Sequence, residues 1–256
     1  MAAVAALLDS RPAALALRRS LPRSGATAVA CRSLPGLRRL LSRRLVDAVV
    51  VSPSPEVSGE LPALRVSHPF LPIIAYGTFR PDDGPLLLAC RDAEVSAVAV
   101  EGVDDAVIGD LVARCSMTAV RRQAMADAPR ILRLSEPLQR RAWDHLVADV
   151  ERPMRTAALA RLLDVSREHL SRQFGAGGAP NLKRVIDLTR IAAAAQLLRN
   201  PGFGVATVVR VLHFASSSHL AGTSRRIAGV GTSQLGSLGP RGVLAAFVRG
   251  NTRSRN

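Results

Sequence analysis

The sequence predicts two folds in tandem: an α/β domain with a doubly wound parallel five-stranded sheet, then an all-α domain carrying two helix-turn-helix motifs. Three observations lead there. Over residues 1–125, short fully apolar runs alternate with helical stretches, the pattern of parallel strands buried on both faces. From residue 152 onward, helical segments are separated by tight turns and Gly/Pro stops. Charge divides in nearly the same place. Residues 151–256 carry 16 basic against 4 acidic side chains, whereas residues 1–150 carry 19 against 16, within a formal net charge of +15. A near-neutral half joined to a strongly basic half suggests a polyanion-binding module attached to something else.

Composition narrows the class. A length of 256 residues allows one large domain or two ordinary ones. With 48% apolar and 21% charged residues, collagen-like, mucin-like and wholly disordered chains are excluded. Aromatics are only 3%, so the cores must be built from Ala, Leu, Val and Ile. Lys183 is the single lysine among the 35 basic residues. Cys31, Cys90 and Cys115 are odd in number and far apart, which reads as buried free thiols in a reducing compartment. The opening MAAVAALL ends at Asp9 with no positive region before it, and no run of 18 apolar residues follows. The expectation is a cytoplasmic protein with no secretory signal and no membrane contact.

Taken in order, apolar runs at 4–9, 28–31, 46–51, 72–75 and 97–100 are the five predicted strands. Helical patterns fall at 12–21, 34–44 (leucines at 34, 37, 40 and 41 on one face), 84–91 and 104–115. Residues 52–63, with three prolines, a glycine and two glutamates, read as a loop. This order resembles the receiver domain of bacterial response regulators. The frame Asp47-Ala-Val-Val-Val-Ser52 matches that family's third strand, with Ser52 at the phosphoacceptor position. The acidic pair after strand one falls on Asp9 and Ser10, and the hydroxyl residue after strand four on Gly77 or Thr78. The lysine of strand five falls on Glu101, followed by Gly102 instead of proline.

Phosphorylating such a site needs an acceptor carboxylate, a Mg²⁺ ion held by several oxygens and a cation on the phosphoryl group. The resemblance therefore implies a degenerate receiver without phosphotransfer, altered at Asp9, Ser52 and Glu101, for dimerisation or partner contact. Asp9, Glu101 and Asp47 remain as oxygen ligands that could hold a cation weakly. The rival reading is an α/β enzyme with a strand-end site using Asp9, Ser52, Thr78 or Glu101. No Gly-rich phosphate loop, GxSxG elbow or HExxH is present, so no enzyme is expected.

Residues 126–151 read as a linker helix carrying Trp143, the only tryptophan. Then Thr156–Leu163 is helical, Asp164-Val165 turns, and Ser166 stands as N-cap before a second helix. Leu170 and Phe174 face inward, leaving Arg167, Glu168, His169, Ser171, Arg172 and Gln173 outward, the layout of a recognition helix. A long helix spans about 181–199 and stops at Asn200-Pro201-Gly202. The motif then recurs, with a helix at 205–212, a turn at 213–215 and a second candidate recognition helix at 216–227.

The segment 152–235 resembles the DNA-binding domain of AraC-type transcription regulators. Ala160, Ser166, Leu170, Arg172 and Phe174 match the family's first motif, and Arg190-Ile191, Ala194 and Leu197-Leu198 its connecting helix. The second motif is eroded. His213 replaces a turn glycine, Gly222 the arginine and Ser224 the second phenylalanine, although Arg225 and Arg226 match the usual basic run. Losing a buried aromatic there implies a core weaker by about 3–5 kcal/mol and a loosely docked second motif. The resemblance implies DNA contacts from Ser166, Arg167, Glu168, His169, Ser171, Arg172, Gln173, Ser216, Ser217, Ser218, His219, Arg225 and Arg226.

Residues 236–256 read as a Gly/Arg-rich flexible tail. The function expected is a sequence-specific transcription regulator that binds double-stranded DNA, with a second copy of itself and RNA polymerase as further partners and no cofactor or metal. The alternative is a protein-interaction adaptor whose eroded DNA-binding domain no longer reads sequence.

Overall fold

A computed structural model describes residues 2–21, 25–151, 153–175 and 177–253. The chain divides into two compact units: Met1–Val120 with Asn200–Gly202, and Arg121–Arg199 with Phe203–Asn256.

The first unit is a five-stranded, all-parallel sheet. Its strands are β1 (Ala2–Leu7), β2 (Ala26–Ala30), β3 (Val46–Val51), β4 (Ile73–Gly77) and β5 (Ala97–Val100), in the order β2-β1-β3-β4-β5. That order is one of the two common doubly wound arrangements. Every residue of β3 and β4 is buried, whereas β2 and β5, at the edges, are only partly covered. Between the strands run α1 (Arg11–Ser20), α2 (Leu34–Arg43), α3 (Pro55–Ser67) and α4 (Gly84–Asp92), and α5 (Ile108–Cys115) follows β5.

The first three helices start alike. Ser10, Ser33 and Ser54 each accept a hydrogen bond from the amide three residues on, and each helix has proline at its first or second position. A serine cap contributes about 1 kcal/mol, and proline costs nothing where its missing amide would have had no partner. This start signal overrides the loop expected over 52–63. Residues 55–67 are helical, with Val57, Leu61 and Leu64 buried, although Pro62 interrupts the ladder inside.

The second unit is all-helical. The helix α6 (Met117–Ala124) runs across the division, and α7 (Ala128–Ile131) and α8 (Pro137–Ala148) follow. Segment 126–151, expected as a linker, is part of this unit's core: Trp143 is buried, and α8 packs on later helices. Next come α9 (Thr156–Leu162), α10 (Arg167–Gly175), α11 (Leu182–Leu198), α12 (Val205–Val211), α13 (Ser217–Ala228) and α14 (Thr232–Arg253). The helix α11 is the spine, buried at 13 of its 17 positions.

The flexible tail expected over 236–256 is replaced, as far as residue 253, by α14. This helix packs on α11 and α13 and buries Leu235, Val243, Leu244 and Phe247. Its regular geometry is broken at Gly239 (φ 59°, ψ −179°), a conformation nearly confined to glycine and suited to the residue before Pro240. The loose docking expected of the second motif is not what forms. Ser224 is fully buried, its hydroxyl donates to the Val230 carbonyl at 2.8 Å, and α14 covers the helix that carries it. A satisfied hydroxyl and an added helix take the place of the missing aromatic.

Candidate nucleic-acid interface

The turns that join α9 to α10 and α12 to α13 close by the same device. At the end of α9 the Val165 amide donates to the Ala160 carbonyl (3.0 Å) and the Asp164 amide to Arg161 (3.2 Å). At the end of α12 the Phe214 amide donates to Val209 (2.9 Å) and the His213 amide to Arg210 (3.2 Å). These are the paired bonds of a Schellman motif, which places one residue in the left-handed region. That residue is Asp164 (φ 57°) in the first turn and His213 (φ 51°) in the second, where glycine would be less strained. Arg190 of α11 reinforces the second turn. Its guanidinium donates to the Leu212 carbonyl at 2.8 Å and lies 4.0 Å from the Phe214 ring centroid. Burial lowers its pKa, opposed by Asp187.

The second helix of each motif also starts alike. Ser166 accepts from the His169 amide at 3.1 Å, and Ser216 from the His219 amide at 3.0 Å. Leu170 and Phe174 anchor α10, while Leu220 and Ile227 anchor α13. Outward from α10, Ser166, Arg167, Glu168, His169, Ser171 and Arg172 are all exposed. Gln173 is half-buried, and its carbonyl accepts from the Gln139 side chain at 2.8 Å, tying α10 to α8. Ser216, Ser217, Ser218 and His219 are likewise exposed at the start of α13, with the His219 ring edge-on to Phe214 at 5.7 Å. Arg225 and Arg226 are exposed but stand at the far end of α13, about 12 Å along the axis from Ser217. There they meet Arg184 and Arg249 instead of the serine-rich start.

In the first unit, the residues that the sequence resemblance singled out come together, apart from one, at the carboxyl ends of the strands. The Ser52 hydroxyl, nearly buried, accepts from the Asp9 amide at 3.1 Å. Ser10 both caps α1 and donates its hydroxyl to Glu101. The Glu101 amide donates to the Gly77 carbonyl, and Thr78 is exposed beside it. Asp47 does not belong to this group. It lies at the other end of β3, about 16 Å away by strand rise, and accepts from both the amide and the hydroxyl of Thr118 at 3.0 Å. The weak cation site expected from Asp9, Glu101 and Asp47 is thus not assembled, and among the described residues no three His, Cys, Asp or Glu side chains form a metal-binding group. Two neighbours went unnoticed in the sequence. Tyr76 is fully buried and donates to Asp105 at 2.6 Å. Burial and that bond raise the phenol well above its ordinary pKa, and the same bond lowers Asp105. Only the Asp104-Asp105 pair after β5 could have signalled this.

Among the described residues, no helix is long and apolar enough to cross a membrane. No protein-family model and no curated protein matches the chain. Among solved structures it is similar to full-length FixJ from B. japonicum at 16% identity and a TM-score of 0.38, covering 88% of this chain and 96% of that one. The fold class rests on the strand order and the helical second unit: α/β followed by all-α.

Proposed function

We propose that the chain is a sequence-specific DNA-binding transcription regulator of the AraC type, with a receiver-like first unit that accepts no phosphoryl group and performs no catalysis. The observation that carries this reading is the pair of Schellman-closed helix-turn-helix motifs packed on α11, each with a serine-capped second helix that turns a polar face outward. In this reading α10 is the principal base reader and the serine-rich start of α13 contributes backbone contacts. The surrounding half carries 16 basic residues against 4 acidic, which supplies salt-dependent affinity for duplex DNA. Arg172 stands outward between the buried anchors Leu170 and Phe174, where a guanidinium can reach a guanine edge. Arg172→Ala is expected to weaken binding to the preferred site by about 1–3 kcal/mol while leaving random DNA less affected. Salt-titrated binding on genomic fragments checks this. Equal loss on both DNAs makes Arg172 a phosphate contact. No site bound above background favours the adaptor reading, which Glu168 on the α10 face would suit.

For the first unit the proposal is a contact surface. Leu87 and Leu88 of α4, Val98 of the edge strand β5, and Val103 and Val107 beyond it are all exposed. In this reading these side chains are the contact points for a second copy of the chain or RNA polymerase. With Ser52 held by the Asp9 amide and Ser10 held by Glu101, acetyl phosphate with Mg²⁺ is expected to leave the protein unmodified by mass spectrometry. A phosphoryl adduct that disappears in an Asp9→Ala, Ser52→Ala double variant would overturn this part.

A further inference from the structure

Charge is sorted across the first unit. Residues 11–44 carry nine arginines and no acidic side chain, whereas residues 80–107 carry seven acidic side chains against two arginines. The two segments build opposite edges of the sheet. The first supplies α1, the edge strand β2 and α2, and the second supplies α4, the other edge strand β5 and the loop after it. We propose that the first unit associates head to tail, with the arginine-bearing β2 edge of one copy seated on the acidic β5 edge of the next. The inference rests on the contact-surface reading of this unit and names the surface that the second copy presents to it.

The basic edge is open. Among the described residues it holds eight of the nine arginines, and all eight are exposed. Arg38 pairs with Glu60 of α3, and among the described residues none of the other seven forms an ion pair. Arg39 and Arg43, one turn apart on α2, point away from the sheet because Leu37 and Leu41 are buried against it. Arginine suits such a contact, since its planar fork meets carboxylates in pairs and its stem covers apolar surface.

The acidic edge offers both partners. Asp82, Asp92 and Glu94 are exposed there. Of these only Asp92 forms an ion pair, with its neighbour Arg91, while Glu94 also feels the charge of Arg65. Asp104 accepts from the Val100 amide at 2.7 Å, a neutral donor that leaves the carboxylate charge in place. Leu87, Leu88 and Val98 are exposed on the same edge. Carboxylates there can take guanidinium heads while the apolar side chains meet arginine stems.

The balance of charge favours a second copy over a nucleic acid. Residues 1–120 carry 13 basic and 12 acidic side chains, so the unit as a whole has little long-range attraction for a polyanion. Its two edges nevertheless complement each other. They lie four strand spacings apart, about 19 Å, so the contact of one with the other is heterologous instead of two-fold.

The test is sedimentation velocity of the 256-residue chain at about 0.1 M salt and at about 1 M, where the reach of charges falls from about 10 Å to about 3 Å. Association that grows with concentration and weakens at high salt is expected. Two variants break one edge each: Arg39→Glu with Arg43→Glu, and Asp82→Lys with Asp92→Lys, all four positions being exposed. Either variant alone should associate roughly tenfold more weakly than the parent. An equimolar mixture should recover, because each supplies the edge that the other lacks, and recovery shows that both are folded. If both variants associate as the parent does, the contact surface stands with two-fold pairing and the head-to-tail proposal falls. It falls equally if the mixture does not recover. A parent that stays monomeric at both salts overturns this proposal and the contact-surface reading for a second copy together, leaving the acidic edge to another protein. If the arginine variant associates normally but loses affinity for random duplex DNA, the basic edge is a backbone-phosphate surface and the proposal is overturned.

Discussion

Arg121→Ala is expected to destabilise the second unit by about 3–5 kcal/mol. Arg121 is 2% exposed, and its side chain crosses the core of the unit. Nε donates to the Val147 carbonyl at 3.0 Å, and Nη1 donates to Gln196 Oε1 at 2.9 Å. One guanidinium thus ties α6 to the end of α8 and to the spine helix α11. Alanine leaves two buried acceptors without these donors and opens a large void, and both losses raise the cost. Arg121→Met refills most of the volume but restores neither bond, so it should fall between the parent and Arg121→Ala. Trp143 is the only tryptophan and is buried in this unit, so its fluorescence follows this unfolding step. A midpoint for Arg121→Ala within about 1 kcal/mol of the parent would show that water replaces the guanidinium readily and that the tie is unimportant.

The second large effect is expected at Gly236. A Cβ there would lie 2.5 Å from the Leu198 carbonyl oxygen and 2.9 Å from its carbon, both backbone atoms that cannot rotate away. The close approach of α14 to the end of α11 therefore depends on the missing side chain. Gly236→Val is expected to cost about 3 kcal/mol, because the two helices must part. Gly236→Ala should cost less, since alanine returns up to about 1 kcal/mol of helix propensity. Gly222 on α13 is the control. Nothing lies within 4 Å of a Cβ built there, so Gly222→Ala should be neutral or stabilising. Denaturant melts of the three variants read the order directly. An equal response at positions 222 and 236 would mean that α14 does not dock as tightly as the geometry requires.

Much of the fold was legible because local signals and packing agree. The runs 46–51 and 97–100 coincide with β3 and β5 to the residue, because valine and alanine dominate both and polarity returns at Ser52 and Glu101. The pair of helices α9 and α10 was equally plain. Ser166, Leu170 and Phe174 fix its cap and its buried face, and the polar residues between them have no other place to go. The left-handed turn expected at His213 is also present.

What escaped the sequence shares one physical cause. Helix α3 carries Pro55, Gly59 and Pro62, and α14 carries Gly239-Pro240, so composition argued for loops. Helical stability comes mostly from burying one face, and burial depends on neighbours that are remote in sequence. Ser224 illustrates the same point, because its partner at Val230 and the covering helix were invisible in the second motif alone. The candidate sites divide likewise. Sequence spacing by itself determined the outward polar face of α10 and the placement of Asp9, Ser52 and Glu101 at the strand ends. Only the tertiary structure decided that Asp47 serves Thr118, that Arg121 spans a core, and that Arg184 and Arg249 join Arg225 and Arg226, because charge convergence between separate helices leaves no periodicity along the chain.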